Sequence, residues 1–385
     1  MTNKNKVRVA VLYGGKSGEH EVSLLSATNV IQNLDRSLFD VVPIGIDKTG
    51  CWYLGDDVFK KGLKSPELLS LNRAADRMLF NPESLKNNKN LSVQKENNSI
   101  QNNSNFDVVF PAIHGPLCED GTVQGLLELA EVPYVGCNVL SSAVNMDKDI
   151  AKRLAQYAGI NVAPFLVIKK SQFDLDQDYF INAINKDFDY PVFVKPSNTG
   201  SSVGITKVVN SKDLLKSIQY AFNFDIKVII EKSIDAVEIE LAVLEPLNPV
   251  EDPIVSFPGQ VKPTANHDFY SYDSKYKDSN GADLKIPADI SSDLQSEARN
   301  LAKDIFTALE CEGMARVDLF LDKNTNEFYF NEINTLPGFT EISMYPKLMA
   351  HSNIEYSDLL THLIKLAMNR HERKSKISRE YIEAL

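Results

Sequence analysis

Apolar and polar positions along the chain predict strands and helices in alternation. Residues 7–13, VRVAVLY, form a short apolar run ending at Gly14 and Gly15, and Leu24, Ala27, Ile31 and Leu34 then recur at helical spacing. Strand, glycine turn and helix follow from that order. Residues 40–46 read as a second strand, and residues 106–113 as a buried third that delivers His114 and Gly115 at its carboxyl end, where open parallel sheets place ligands. Residues 133–135 add a short strand and close a small α/β unit near residue 138. Between residues 59 and 105 the pattern fades. Residues 87–105, low in complexity and rich in Asn, Lys, Ser and Gln, read as a solvated loop or disordered insertion.

The pattern resumes with a helix from Met146, Asp147 and Lys148 to residue 158, then a strand over 163–168. Residues 190–205, YPVFVKPSNTGSSVGI, place Lys195 at a strand end, followed by a loop of Gly and Ser and another strand over 205–209. Residues 228–244 are two strands joined by a connector. Residues 262–286 form an aromatic and charged loop with Tyr270, Tyr272, Lys275, Tyr276 and Lys277, long enough to suggest a lid. Leu294, Ala298, Leu301, Ile305 and Leu309 mark an amphipathic helix. Residues 315–340 then alternate as two strands about a polar turn at 322–327, and closing helices run over 343–350 and 356–368.

That last hairpin carries the strongest chemistry. Alternation puts Arg316 and Asp318 on one face of the first strand and Glu332 and Asn334 on one face of the second. A turn centred on Thr325 sets Asp318 opposite Glu332 and Arg316 opposite Asn334. Two carboxylates about 5 Å apart repel by roughly 3 kcal/mol at an effective dielectric near 20. A cation relieves that repulsion, and two carboxylates with an amide oxygen suit magnesium beneath nucleotide phosphates. A solvated strand face would display the same residues. The Ser- and Gly-rich loop after Lys195 offers free backbone N–H groups to phosphate oxygens, with Lys195 as a point charge. Glu19 and Glu21 open a helix, where carboxylates favour the positive end of the dipole. His114 alone fits either a hydrogen-bonded structural role or a ligand. Gly14, Gly15 and Gly18 satisfy neither a Walker A loop nor a dinucleotide fingerprint.

Composition narrows the class. A chain of 385 residues, 43% hydrophobic, fills two or three domains. Its formal net charge of -11 speaks against nucleic acid as partner, so anions must meet local Lys and Arg clusters. Cys51, Cys118, Cys137 and Cys311 have no metal-type spacing and read as reduced thiols. No apolar run approaches a membrane span, and the N-terminus does not read as a signal peptide, so a cytoplasmic location is expected.

The ordered set GGKSGEHEVS, HGPLCEDGTVQG, MDK, VKPSNTGSSVG, IIEK, FYSYDSKY, ARVDLF, NEINTLPGFT and SMYP resembles the D-alanine:D-alanine ligases of the ATP-grasp superfamily over nearly the whole chain. The resemblance implies an α/β fold, α+β in the ATP-binding part, of three domains over 1–138, 139–235 and 236–385, the first built on an open parallel sheet. It implies a homodimer that uses ATP and two magnesium ions, with manganese as a substitute, to join two D-alanines through a D-alanyl phosphate for peptidoglycan precursor synthesis. It further implies that Lys148 and Lys195 bind phosphates with Ser201, Ser202, Lys275 and Asn331 nearby, and that Glu231, Lys232, Ile234 and Glu238 meet adenine and ribose. Asp318, Glu332 and Asn334 would ligate the metals, Glu332 bridging them. Glu19 would receive the first ammonium beside His114, Arg316 and the Gly338 N–H the oxyanion, and Lys275, Ser343 and the Met344 N–H the second carboxylate. Glu19, Ser201 and Tyr276 match the family's hydrogen-bonded triad. Tyr276, where ligases that accept D-lactate commonly carry His or Phe, implies the dipeptide as product. Cys118 stands where the family usually has Gly, in the turn beside His114.

Overall fold

The computed structural model describes residues 6–55, 77–79, 90–94, 100–263 and 282–380. Three sheets organise it. The first has the order β6-β5-β4-β3-β2-β1-β7, from strands Val7–Gly14 (β1), Phe39–Ile46 (β2), Trp52–Leu54 (β3), Arg77–Leu79 (β4), Asn90–Gln94 (β5), Ile100–Asn105 (β6) and Val108–Pro111 (β7). Only β2, β1 and β7 pair in parallel, and β3 to β6 extend the sheet antiparallel, so the expected open parallel sheet forms one edge of a mixed sheet. Strands β5 and β6 stand at 90–94 and 100–105, where a solvated loop or disordered insertion was expected. Its polar side chains hid an antiparallel pair, because ladder bonds come from the backbone and need no apolar alternation. Residues 133–135 contribute a single bridge, Val109 to Tyr134, where a strand was expected.

The second sheet is antiparallel, β10-β9-β11-β8, from Phe165–Lys169 (β8), Val192–Pro196 (β9), Thr206–Val208 (β10) and Lys227–Lys232 (β11). Val192, Val194, Val228 and Ile230 point to one face and pack with Ile184, Leu214 and Ile218 from two covering helices. Lys195 and Glu231 therefore share the opposite face. The third sheet, β15-β14-β12-β16-β17, comprises Ala236–Leu244 (β12), Ile254–Val255 (β13, beside β12), Gly259–Pro263 (β14), Ala282–Lys285 (β15), Met314–Asp322 (β16) and Phe328–Asn334 (β17). Its core face packs Leu241, Val317, Leu319 and Phe330 against Ala298, Ala302 and Ile305 of the helix Ser292–Ala308, as the apolar spacing predicts.

Helix α1 (His20–Asn33) covers the first sheet, and Thr122–Leu129 (α2) and Val139–Met146 (α3) lead to Lys148–Tyr157 (α4). Asp147 caps α4 by accepting from the N–H groups of Asp149 and Ile150. The closing helices are Met344–His351 and Tyr356–Ser375. From the latter, the buried Arg370 donates to the carbonyls of Gly136 and Tyr134 and stacks over the Tyr134 ring, tying it to the first sheet.

Candidate active site

On the third sheet Asp318 pairs with Glu332 and Arg316 with Asn334, the partners that alternation predicts. The ladder shifts beyond Asp318, where Leu319 faces Phe330 and Asn331 is the extra residue of a bulge. The Arg316 guanidinium grips Asp318 with two bonds, Nε to Oδ1 at 2.7 Å and Nη2 to Oδ2 at 2.6 Å. Asn334 Nδ2 donates to Asp318 Oδ2 at 3.1 Å. From β12, Glu240 lies directly across from Asp318 and brings Oε2 to 3.1 Å from Arg316 Nε. Burial opposes the charge on Arg316, but Asp318 and Glu240 outweigh it and hold the guanidinium firmly protonated.

Carboxylate oxygens of Glu238, Glu240 and Asp318 can all lie within 4.8 Å of one another. Glu240, 2% exposed, was missed from the sequence, although its i, i+2 spacing from Glu238 places both on one strand face. Glu238, implied as a ribose contact, thus also stands beside Asp318. Glu332 leans toward Lys148, Oε2 to Nζ 3.4 Å. Hard carboxylate and amide oxygens on one rigid face are the donor set magnesium takes, and these residues fit such an ion.

Beside this cluster stand ammonium groups from α4 and the second sheet. Lys148, at the start of α4, donates to the Thr199 carbonyl at 2.6 Å. Lys195 sits 2.5 Å from Glu231 Oε2 and 3.5 Å from Asn331 Oδ1. The other Glu231 oxygen accepts from Lys152 at 2.9 Å, and Lys152 also donates to the Phe330 carbonyl at 3.2 Å. Burial would push the Glu231 carboxyl up, yet the two ammonium groups prevail and bring it to about 2. Its carboxylate is therefore committed to lysines. Lys232 is exposed and Ile234 half-buried in the connector to β12. Lys152 was also missed; standing one helical turn after Lys148, it shares that helix face.

The first sheet completes the enclosure. Glu19, expected to favour a helix start, makes no side-chain cap on α1; its carboxylate instead accepts from Ser201 across the cleft. Ser201 and Ser202 hold left-handed backbone, φ 51° and 58°, which turns their loop over toward Glu19. His114 is buried, with Nε2 2.9 Å from Ser26 Oγ and Nδ1 3.3 Å from Glu119 Oε1. Burial disfavours its charge, but the bond and charge of Glu119 raise its pKa overall. Both ring nitrogens are thus engaged by the chain itself. Cys118 occupies its turn without left-handed backbone; the positive φ falls on Gly115 and Leu117, so the usual glycine is not required there. Ser343 Oγ accepts from the Thr340 N–H at 3.0 Å, and a Cβ at Gly338 would meet that oxygen at 2.7 Å. A cavity of about 100 Å³ lies among Glu19, His114, Ser201, Arg316, Gly338 and Ser343, with Glu332, Asn334 and Met344 also on its wall. Lys275 and Tyr276 lie outside the described residues.

The family described as D-ala D-ala ligase N-terminus matches residues 8–137, and that described as D-ala D-ala ligase C-terminus matches residues 154–365. The chain belongs to the D-alanine–D-alanine ligase family. A D-alanine–D-alanine ligase A of Bradyrhizobium diazoefficiens is 48% identical over 378 residues, 98% of this chain and 99% of the relative. A D-alanine–D-alanine ligase of Caldicellulosiruptor bescii is 47% identical, covering 97% of this chain and 98% of its own. Among solved structures, the D-alanine-D-alanine ligase of Coxiella burnetii superposes with a TM-score of 0.81 at 34% identity, covering 97% of each chain. The VanG D-Ala:D-Ser ligase of Enterococcus faecalis reaches 0.78 at 34% identity, over 94% of this chain and all of that one. Ligase-family membership and the ATP-grasp fold, both implied by the order of the motifs, are borne out.

Proposed function

We propose that this chain joins two D-alanines into D-alanyl-D-alanine, with cleavage of ATP to ADP and phosphate. The observation that carries this is the convergence of three sheets on one cleft: Glu19 beside the first, Ser201 from the loop after β9 of the second, and Arg316 with its acidic neighbours from the third. Near full-length identity to curated D-alanine–D-alanine ligases supports the same substrates. The carboxylate of the first D-alanine attacks the γ-phosphorus of ATP, ADP departs, and an acyl phosphate remains. The amine of the second D-alanine, once deprotonated, attacks that carbonyl, and phosphate leaves through a tetrahedral intermediate.

Each residue has a place in this scheme. Glu19 receives the first ammonium, and His114, held by Ser26 and Glu119, shapes the wall behind it. Lys148 and Lys195 meet phosphate charge, with Ser201 and Ser202 in the loop above. Lys232, Ile234 and Glu238, with the backbone at Glu231, border the base and ribose. Arg316 and the Gly338 N–H face the oxyanion. Ser343, the Met344 N–H and Lys275 hold the second carboxylate. Asp318, Glu332 and Asn334, with Glu240 alongside, would hold magnesium, which supplies charge neutralisation at the phosphates. The Glu19–Ser201 bond draws the serine loop over the cleft, which protects an acyl phosphate from water. Domains over 1–138, 139–235 and 236–385, a homodimer and a cytoplasmic location complete the proposal; among the described residues no helix is long and apolar enough to cross a membrane.

The test is mass spectrometry of the product formed from ATP and magnesium with D-alanine alone, with added D-serine and with added D-lactate. D-alanyl-D-alanine is the expected product in all three. A mixed product dominating whenever D-serine or D-lactate is present would move the chain to the neighbouring ligase class that the D-Ala:D-Ser structure represents.

A further inference from the structure

Lys152 is a lysine with 0% exposure, more deeply buried than Lys148 and Lys195 at 7% each. An ammonium so buried cannot touch a nucleotide. A buried charge is costly unless paired and hydrogen-bonded, and one helix face could have been completed by an apolar residue at far lower cost. Its position explains what it does instead. Lys152 comes from α4 and donates both to the Glu231 carboxylate on β11 of the second sheet and to the Phe330 carbonyl on β17 of the third. The N–H of Phe330 bonds to the Asn161 carbonyl on the same side, so Lys152 also satisfies the outer edge of the metal-bearing hairpin.

Charge counting gives the functional consequence. Two ammonium groups, Lys152 and Lys195, share the single carboxylate of Glu231, which leaves one surplus positive charge in the buried trio. Lys195 is the member that also reaches Asn331, the bulge residue of the hairpin. Without Lys152, Glu231 and Lys195 would neutralise one another, and the 2.5 Å contact between them would hold Lys195 back from an incoming phosphate.

We propose that Lys152 is a positioning residue for the phosphate subsite: by occupying one oxygen of Glu231 it leaves Lys195 a net positive charge for the triphosphate and fixes that lysine in register with the hairpin. This rests on the ATP-dependent ligase assignment above. The test measures ATP binding calorimetrically without D-alanine, and KM for ATP and for D-alanine in an ADP-release assay, for wild type, Lys152→Met and the double variant Lys152→Met/Glu231→Gln. Wild type binding no ATP would overturn the ligase assignment itself and is read separately. With wild type active, Lys152→Met is expected to raise KM and Kd for ATP about tenfold or more, the scale of one charged contact, with KM for D-alanine within about twofold. The double variant, which frees Lys195 from its carboxylate, is expected to regain ATP affinity to within about threefold of wild type. Lys152→Gln, which keeps a donor but not the charge, gives the same loss and decides the matter should the Met variant fail to fold. Unchanged ATP affinity in the single variants, a parallel rise in KM for D-alanine, or a double variant as weak as the single one would each overturn the proposal.

Discussion

Arg316 and Asp318 illustrate how far single residues were readable. Their shared face follows from an i, i+2 spacing within one strand, and a turn centred by counting supplied Glu332 and Asn334 opposite. The bidentate grip of Arg316 on Asp318 did not follow from spacing, because it depends on rotamers chosen in a buried setting beside Glu240. Glu231 and Lys152 were harder still: 79 positions separate them, and only the meeting of α4 with β11 gives their pairing meaning. Glu231 yields a prediction in pH. Its carboxyl is held at about 2 against an ordinary value of 4.5, so as pH falls the unfolded chain takes up the proton first. The stabilisation is whole above about pH 4.5 and is lost as pH drops through about 2. Melting temperature should therefore decline across that window in wild type, and the decline should be shallower in Glu231→Gln. Equal slopes in both proteins would show that the pair contributes nothing to acid stability.

Elements with apolar periodicity were legible, and those built on backbone geometry were not. The helix Ser292–Ala308 and strands β1, β2, β9 and β16 stand where alternation or helical spacing put them. The pair β5–β6 lacks that signal, and the bulge at Asn331 leaves no compositional mark. The serine loop was recognised by its small residues, but its geometry depends on one position. Gly204 has φ +76°, and an added Cβ would meet the Phe224 ring at 2.6 Å and Pro196 Cγ at 2.7 Å. Gly204→Ala should accordingly displace the loop, destabilise the protein by about 1–3 kcal/mol and raise KM for ATP more than KM for D-alanine. Chemical unfolding and steady-state kinetics check it; an unchanged ATP KM would detach the loop from nucleotide binding.

At the scale of the molecule, the order of motifs conveyed more than any one of them. Six of the nine short segments, from residue 14 to residue 346, contribute to the wall of one cavity. The helix Tyr356–Ser375 keeps the first sheet against the third through Arg370, whose guanidinium joins Tyr134 and Gly136 to Glu312. That clamp holds Glu19 and His114 in front of Arg316, a relation that no local pattern encodes. Under the proposed function, the acidic hairpin gathers divalent cations beneath a triphosphate. Manganese titration in the presence of ATP, followed by electron paramagnetic resonance on wild type and Asp318→Asn, tests it most directly. Wild type should take up manganese tightly only with nucleotide present, and the variant should bind it roughly tenfold more weakly or worse. Equal manganese binding by the two proteins would show that Asp318 holds no metal.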